Sequence, residues 1–505
     1  MKITIMDTTL RDGEQTSGVS FTDSEKLQMA RLLLEELKVD RIEIASAHVS
    51  EGEFRAVKRI MDWAKENDYQ DKIEILGFVD GNRSLDWMER ADAKVLNLLT
   101  KGSRKHCEFQ LRKTAEQHLE EIKTVVQKAH ERGITVNIYF EDWSNGMRDS
   151  IDYVFFLLDN LQNVGINRFM LPDTLGVLNP EETFQFCSIL LERYPHLQFD
   201  FHAHNDYDLA TANVYYAVKA GIQGIHTTLN GLGERAGNVP LSSVIGVVKD
   251  HLDLDLSIDE KKLYAVSKMV ESFSGVRIPQ NKPLIGEFVF TQTSGIHADG
   301  DNKNNLYFND LYPERFNRKR TYALGKLAGK ASIKKNLEEL GIELDIESMK
   351  KLTKRINELG DRKETVTADD LPYIISDVLK NEQIEQSIKI KNYNLSVAAG
   401  LQSVATLSIE IDGKTYEQTA SGDGQYDAFM NALWKIYDLL EKAYPKLIDY
   451  AVTIPPGGKT DALCHTTITW EMNGRSFKTN GLDSDQAIAA IKATIKMLNM
   501  IEQQN

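Results

Sequence analysis

Two histidines separated by a single residue, His202 and His204, stand in the segment FHAHND. On an extended strand residues i and i+2 face the same side, roughly 6.6 Å apart along the chain. Both imidazoles can therefore face one ion, although such a pair can equally be two buried histidines with hydrogen-bonded rings. Asp12, in TTLRDGEQ, adds a carboxylate, and Asn238, in NGLGERAGN, adds an amide oxygen. This donor set suits a divalent metal (Mn, Mg, Co or Zn) with coordination positions left for a substrate. The cysteines Cys107, Cys187 and Cys464 form no close-spaced pair, so neither a thiolate zinc site nor a disulfide framework is expected. Arg11, beside Asp12, is either a simple ion-pair partner or a group that polarises a carbonyl and receives a developing alkoxide together with the metal. Glu141 either orders a ligand near the metal or serves a structural cap or ion pair.

These residues need elements that bring them to one place. Eight short runs of strand character recur in the first 230 or so residues: 3–10, 41–46, 72–79, 93–100, 135–141, 168–173, 198–205 and 224–230. Helical patterns separate them. Thr22, Asp23 and Ser24, for example, can cap a helix whose stripe is Leu27, Ala30, Leu33 and Leu34. Strand then helix, eight times over, predicts an α/β fold, a TIM (β/α)8 barrel. A doubly wound sheet is the rival, but no Gly-rich phosphate motif is present. Barrel active sites lie at the C-terminal ends of the strands. Arg11 and Asp12, Tyr139 and Glu141, Asp173 and Thr174, the HAHND motif and NGLGERAGN all fall there. Leu76, Leu99 and Tyr139 fall at the same rim, as core or as the wall of a short pocket.

The periodicity weakens after about residue 270, and the loop TQTSGIHADGDNKNNLY carries His297, Asp299 and Tyr307. A loop histidine is an acid or base only if the loop reaches the barrel mouth. Helical patterns around 331–360 and 369–380 predict small linker subdomains. From about 391 a strands-plus-helix unit occurs twice, with helices at 426–440 and 486–498. The expected division is a catalytic barrel at 1–268, linker subdomains at 269–390 and a C-terminal α+β domain with internal duplication at 391–505.

Composition narrows the function classes. The chain has 505 residues, with 60 Lys+Arg against 75 Asp+Glu and a formal net charge of -15. An acidic surface repels phosphate backbones, so no nucleic-acid partner is expected. No run of about 18 apolar residues occurs, so no membrane span is expected. The opening MKITIMD reads as a strand rather than a signal segment, and a cytoplasmic setting is expected.

Four motifs in order, DTTLRDGEQ (7–15), HAHND (202–206), NGLGERAGN (230–238) and SGIHADG (294–300), resemble the 2-oxo-acid acetyltransferases of the isopropylmalate, homocitrate and citramalate synthase family. The resemblance covers essentially the whole chain. It implies Asp12, His202, His204 and Asn238 as metal ligands, Arg11 as the carbonyl-polarising residue, Glu141 as the catalytic glutamate, and His297 and Tyr307 as mobile-loop residues. It implies acetyl-CoA as co-substrate, a Claisen-type condensation followed by thioester hydrolysis, and a homodimer. Within the family, YFEDWSNG (139–146), PERFNRKR (313–320), LGKLAGKASI (324–333) and GDGQYDAFMNAL (422–433) are most similar to (R)-citramalate synthases. Leu76, Leu99 and Tyr139, with Thr174 as a further substrate contact, then favour the methyl of pyruvate over larger 2-oxo acids. The C-terminal domain resembles one that binds an end-product amino acid, here isoleucine, with Tyr426, Asp427, Leu447, Tyr450 and Gln486 as pocket candidates. The competing expectations are a 2-isopropylmalate synthase, a metal-dependent acyl-CoA lyase on the same barrel, and an inactive amino-acid-binding regulator.

Overall fold

The computed structural model describes residues 2–361, 366, 368–379, 388–453, 464–483 and 485–502. The chain divides into two compact units, one of residues 1–290 and 308–320, the other of residues 291–307 and 321–505.

The first unit is built on β1 (Thr4–Asp7), α1 (Asp23–Arg31), β2 (Arg41–Ser46), α2 (Glu51–Glu66), β3 (Ile73–Phe78), α3 (Arg83–Ala91), β4 (Val95–Lys101), α4 (Ala115–Glu131) and β5 (Thr135–Glu141). It continues with α5 (Trp143–Asp149), α6 (Ile151–Leu161), β6 (Arg168–Asp173), α7 (Pro180–Arg193), β7 (Phe199–Ala203), α8 (Ala210–Ala220), β8 (Gly224–Thr227), α9 (Leu241–Gly246) and α10 (Leu263–Ser274). The eight parallel strands close into a barrel in sequence order, β1 pairing with β8 through Thr4 opposite Gly224. The predicted TIM barrel is therefore the observed fold. Its main apolar core lies between strands and helices, where Ile5, Ile44, Ile75, Leu98 and Ile138 meet helix residues such as Ile60, Met88 and Val125. The capping expected at residues 22–24 takes the form of a capping box, Glu25 N–H donating to Thr22 Oγ1 and Thr22 N–H to the Glu25 carboxylate.

The second unit opens with β9 (Thr291–Gln292), α11 (Gly295–Asn302), β10 (Thr321–Tyr322), α12 (Lys330–Glu339), α13 (Ile346–Asp361) and α14 (Leu371–Leu379). Ile333, Leu337, Leu352, Ile356 and Leu371 form a small core among these helices. Next come β11 (Ile388–Ser396), β12 (Ser403–Ile411), β13 (Lys414–Gly422) and α15 (Gln425–Leu439), then β14 (Lys446–Thr453), β15 (Cys464–Met472), β16 (Arg475–Asp483) and α16 (Gln486–Glu502). The two three-stranded antiparallel sheets, each followed by its helix, realise the duplication read from the sequence. One face of β12 (Ala405, Leu407, Ile409) and one of β15 (Ile468, Trp470) share a core with both helices. No helix among the described residues is long and apolar enough to cross a membrane.

Candidate active site

The chain leaves β1 in a tight turn. The N–H groups of Arg11, Asp12 and Gly13 all lie within hydrogen-bond reach of the Thr8 carbonyl, at 2.8–3.1 Å. This turn sets the Arg11 and Asp12 side chains at the C-terminal end of the barrel. On β7, His202 and its neighbour two residues on, His204, place their Nε2 atoms 3.4 Å apart. Asp12 Oδ2 lies 3.0 Å from His202 Nε2 and 3.9 Å from His204 Nε2. Asp12, His202 and His204 are the one cluster of its kind among the described residues.

The charges suit a cation. Burial alone would raise the Asp12 carboxyl, but Arg11 and the two imidazoles outweigh it and hold Asp12 well below the usual carboxylate range. Burial pushes His204 down to about 4, against the pull of Asp12, so the ring is neutral near pH 7 and has a lone pair to give. Neither Asp12 oxygen has an aligned hydrogen-bond donor, and Asn238 Oδ1 has none either. Asn238 bridges to His204 in the backbone, and its amide N–H donates to Leu232 O at 3.1 Å, which leaves the amide oxygen free. Buried acceptors without donors call for an explanation, and a divalent cation supplies one. The donors present thus fit the metal read from the sequence. Gly233, at φ +146°, gives room for this arrangement: a Cβ there would come within 2.2 Å of Asn238 Nδ2.

Below the cluster the barrel interior carries buried ion pairs. Arg11 Nε donates to Glu43 Oε2 at 2.6 Å, and Asn97 Nδ2 donates to Glu43 Oε1 at 2.7 Å. Burial would lower the Arg11 pKa, but Glu43 and Asp12 keep the guanidinium charged. Arg41 bridges Glu74 and Asp200, and Arg168 also donates to Asp200. Gly224 makes room for this pairing, since a Cβ there would lie 1.8 Å from Asp200 Oδ1.

Leu76, Leu99 and Tyr139 do come together, joined by Met6 and Met170 in a small apolar cluster inside the barrel. The Tyr139 ring is T-shaped to His202 at 6.0 Å, and the Arg11 guanidinium sits 5.9 Å from its centre. The apolar cluster therefore abuts the metal-type site. Glu141, at the end of β5, is ion-paired with Lys101 at the end of β4. The Thr174 hydroxyl accepts from Asp142 N–H at 2.8 Å, and its carbonyl accepts from Arg235, which also grips Asp206 with two hydrogen bonds. Thr174 thus ties the loops after β5, β6 and β8 together at the rim.

His297 and Tyr307 belong to the second unit. Their rings lie 4.2 Å apart, and His297 Nδ1 is 3.3 Å from Gln292 Oε1. In the C-terminal domain, Tyr426, Asp427, Leu447, Tyr450 and Gln486 all line one cavity of about 510 Å³, with Gly424, Gln425, Asp485 and Ala487. Tyr426 and Tyr450 face each other at 5.4 Å, and Tyr426 OH shares a 2.7 Å hydrogen bond with Thr494 Oγ1.

Sequence reading missed Glu43, Lys101, Asp200, His226, Met6 and Met170. The signal available was a charge inside an otherwise apolar strand, as in RIEIAS and QFDFHAHN.

Residues 2–270 match the HMGL-like family, residues 284–364 a homocitrate synthase post-HMGL domain, and residues 365–502 the LeuA allosteric (dimerisation) domain. The chain belongs to the HMGL-like family. It is an enzyme of the synthase branch, as full-length relatives show. It is 33% identical to the (R)-citramalate synthase CimA of Methanocaldococcus jannaschii, over 99% of this chain and 100% of that protein. It is 32% identical to the 2-isopropylmalate synthase of the same organism, over 99% and 95%. The 2-isopropylmalate synthase of Aquifex aeolicus is also 32% identical, over 99% and 95%. Identity alone therefore does not separate the two activities for this HMGL-like enzyme.

Proposed function

We propose that this enzyme is an (R)-citramalate synthase, joining acetyl-CoA to pyruvate and releasing citramalate and CoA. The observation that carries the choice of oxo acid is the apolar cluster of Leu76, Leu99, Tyr139, Met6 and Met170 against the His202 and Arg11 side chains. A pocket excludes a larger substrate by bulk more strongly than it rewards a smaller one by contact, which is worth about 1–3 kcal/mol per methylene.

Asp12, His202, His204 and Asn238 would hold the divalent metal. When bound, it supplies Lewis-acid polarisation of the oxo acid's ketone and a seat for its carboxylate. Arg11, kept charged and aimed by Glu43, donates to the ketone oxygen as that oxygen gains charge. A base takes a proton from the acetyl methyl. The new C–C bond forms between that carbon and the ketone carbon of pyruvate as the C=O π bond breaks, and the oxygen then takes a proton to become the product hydroxyl. Water then cleaves the thioester, giving the free carboxylate and CoA–SH. Glu141, paired with Lys101 at the rim, acts in this proton traffic, and Thr174 contacts the substrate. His297 and Tyr307 assist as acid–base groups, a role that rests on the family resemblance.

We further propose the division into a barrel at 1–268, linker subdomains at 269–390 and a regulatory domain at 391–505. The regulatory domain would take isoleucine in the cavity lined by Tyr426, Asp427, Leu447, Tyr450 and Gln486. The match to a LeuA dimerisation domain supports a homodimer. The three cysteines are buried and form no close-spaced pair in the sequence, which supports a reducing, cytoplasmic setting.

The test is CoA release with manganese and acetyl-CoA, comparing pyruvate, 2-oxoisovalerate and 2-oxoglutarate at matched concentrations. Preference for pyruvate supports the proposal. Preference for 2-oxoisovalerate makes the enzyme a 2-isopropylmalate synthase and overturns the argument from the apolar cluster. Release with none of them overturns the synthase reading.

A further inference from the structure

Tyr139 carries a hydroxyl into an otherwise apolar cluster, and among the described residues that hydroxyl has one hydrogen-bond partner. Tyr139 OH lies 3.1 Å from Nδ1 of His226, a fully buried residue on β8 across the barrel. His226 Nε2 in turn lies 3.3 Å from Asp200 Oδ2. Asp200 also holds Arg41 and Arg168.

The direction of each hydrogen bond follows from this chain of contacts. Asp200, ion-paired with both Arg41 and Arg168, is a carboxylate and only accepts. The proton between Asp200 and His226 must then sit on Nε2. With that proton on Nε2, the other ring nitrogen, Nδ1, turns its lone pair to the Tyr139 hydroxyl. Among the described residues, the Tyr139 hydroxyl is the group placed to donate to it. Asp200 thus selects the His226 tautomer, and that tautomer takes the Tyr139 proton. The ring of Tyr139 is held across the barrel from β5 to β8. There it packs beside His202 and under Arg11.

We infer that His226 is a positioning residue for specificity, clamping Tyr139 across the pocket so that only a 2-oxo acid with a small side chain fits. The inference rests on the reading of this site as a pyruvate-condensing one. Without the clamp, the tyrosine ring loses the bond that resists its displacement by a bulkier side chain. Asp200 keeps both arginines when His226 is replaced by an apolar residue, so no buried charge is left alone.

The test compares kcat/KM for pyruvate and for 2-oxobutanoate, one methylene larger, in the full-length enzyme. The set is wild type, Tyr139→Phe, His226→Leu and His226→Asn. Tyr139→Phe removes only the hydroxyl and guards against a folding defect in His226→Leu. The expected result is a fall of roughly tenfold in the preference for pyruvate in Tyr139→Phe and His226→Leu, carried by a lower KM for 2-oxobutanoate. His226→Asn, whose amide oxygen can stand in for Nδ1, retains the wild-type preference. An unchanged preference in both Tyr139→Phe and His226→Leu, in an enzyme whose wild type prefers pyruvate, overturns the clamp. A wild type that does not prefer pyruvate overturns the reading beneath it instead.

Discussion

Asp12 has a buried carboxylate held ionised beside Arg11, 3.5 Å away, yet neither oxygen is aligned to a hydrogen-bond donor, an arrangement that a metal cation would complete. Treatment with a chelator is therefore expected to abolish CoA release, with recovery on adding manganese. Asp12→Asn is expected to weaken manganese binding, followed by titration calorimetry, by more than the roughly 10–100-fold that loss of a supporting contact costs a metal site. Unchanged affinity in that variant would remove Asp12 from the ligand set. Glu43 poses a separate question, because it holds the guanidinium rather than the metal. Glu43→Gln leaves Arg11 charged but less firmly aimed. Its kcat should fall, but by less than the loss of about 10²–10³ seen when a donor to a developing oxyanion is removed outright. Manganese affinity in Glu43→Gln should stay close to wild type, and a parallel loss of affinity would mean that Glu43 serves the metal site. The metal-type cluster was legible because His202 and His204 obey the strand period and Asp12 and Asn238 follow strand ends. Glu43 was not, because its value depends on Arg11 and Asn97, which stand 32 and 54 positions away.

The elements were the most legible part of the molecule. Runs such as RIEIAS, TVNIYFE and RFMLPD coincide with β2, β5 and β6, since parallel barrel strands are short, apolar and separated by amphipathic helices. What the pattern hid is that α1 carries a buried lysine on its core-facing side. Lys26 Nζ reaches Glu14, Glu53 and the Leu10 carbonyl, bracing the turn that carries Arg11 and Asp12. Lys26→Met leaves two carboxylates facing each other without their cation, and should cost about 3–5 kcal/mol. Denaturant unfolding measures that loss, and a change under 1 kcal/mol would show the ion pairs to be dispensable. On α4, burial pushes His118 down to about 4, and its Nε2 accepts from Lys101 N–H at the end of β4. The unfolded chain protonates this histidine near its ordinary 6.5, so between about 6.5 and 4 the unfolded state binds the extra proton. The stability His118 contributes is thus whole above pH 6.5 and is lost as the pH falls toward 4. His118→Gln keeps an acceptor but cannot titrate. Its stability should fall less steeply over that window, by the slope of one proton, in unfolding curves taken at stepped pH.

At the scale of the whole molecule the chain joins a catalytic barrel to a duplicated domain that matches an allosteric family. Each half of the duplicate contributes to one cavity, through Tyr426 and Asp427 on α15, Leu447 and Tyr450 on β14, and Gln486 on α16. The cavity pairs two facing tyrosine rings and an apolar side chain with the Asp427 and Asp485 carboxylates and the Gln486 amide. That mixture suits a zwitterion with an aliphatic side chain, whose ammonium seeks the carboxylates. These residues were readable as candidates only through resemblance, because a cavity shared by two repeats leaves no period in the sequence. Isoleucine, the effector proposed for this cavity, is expected to slow CoA release, and leucine to do so less. Leu447→Ala removes apolar contact from one wall without touching a buried hydrogen bond, so the isoleucine concentration for half-inhibition should rise by roughly tenfold, the worth of one or two buried methylenes. If inhibition is unchanged in Leu447→Ala but isoleucine still acts, the effector binds elsewhere. If neither amino acid acts on the wild type, the duplicated domain serves assembly rather than feedback.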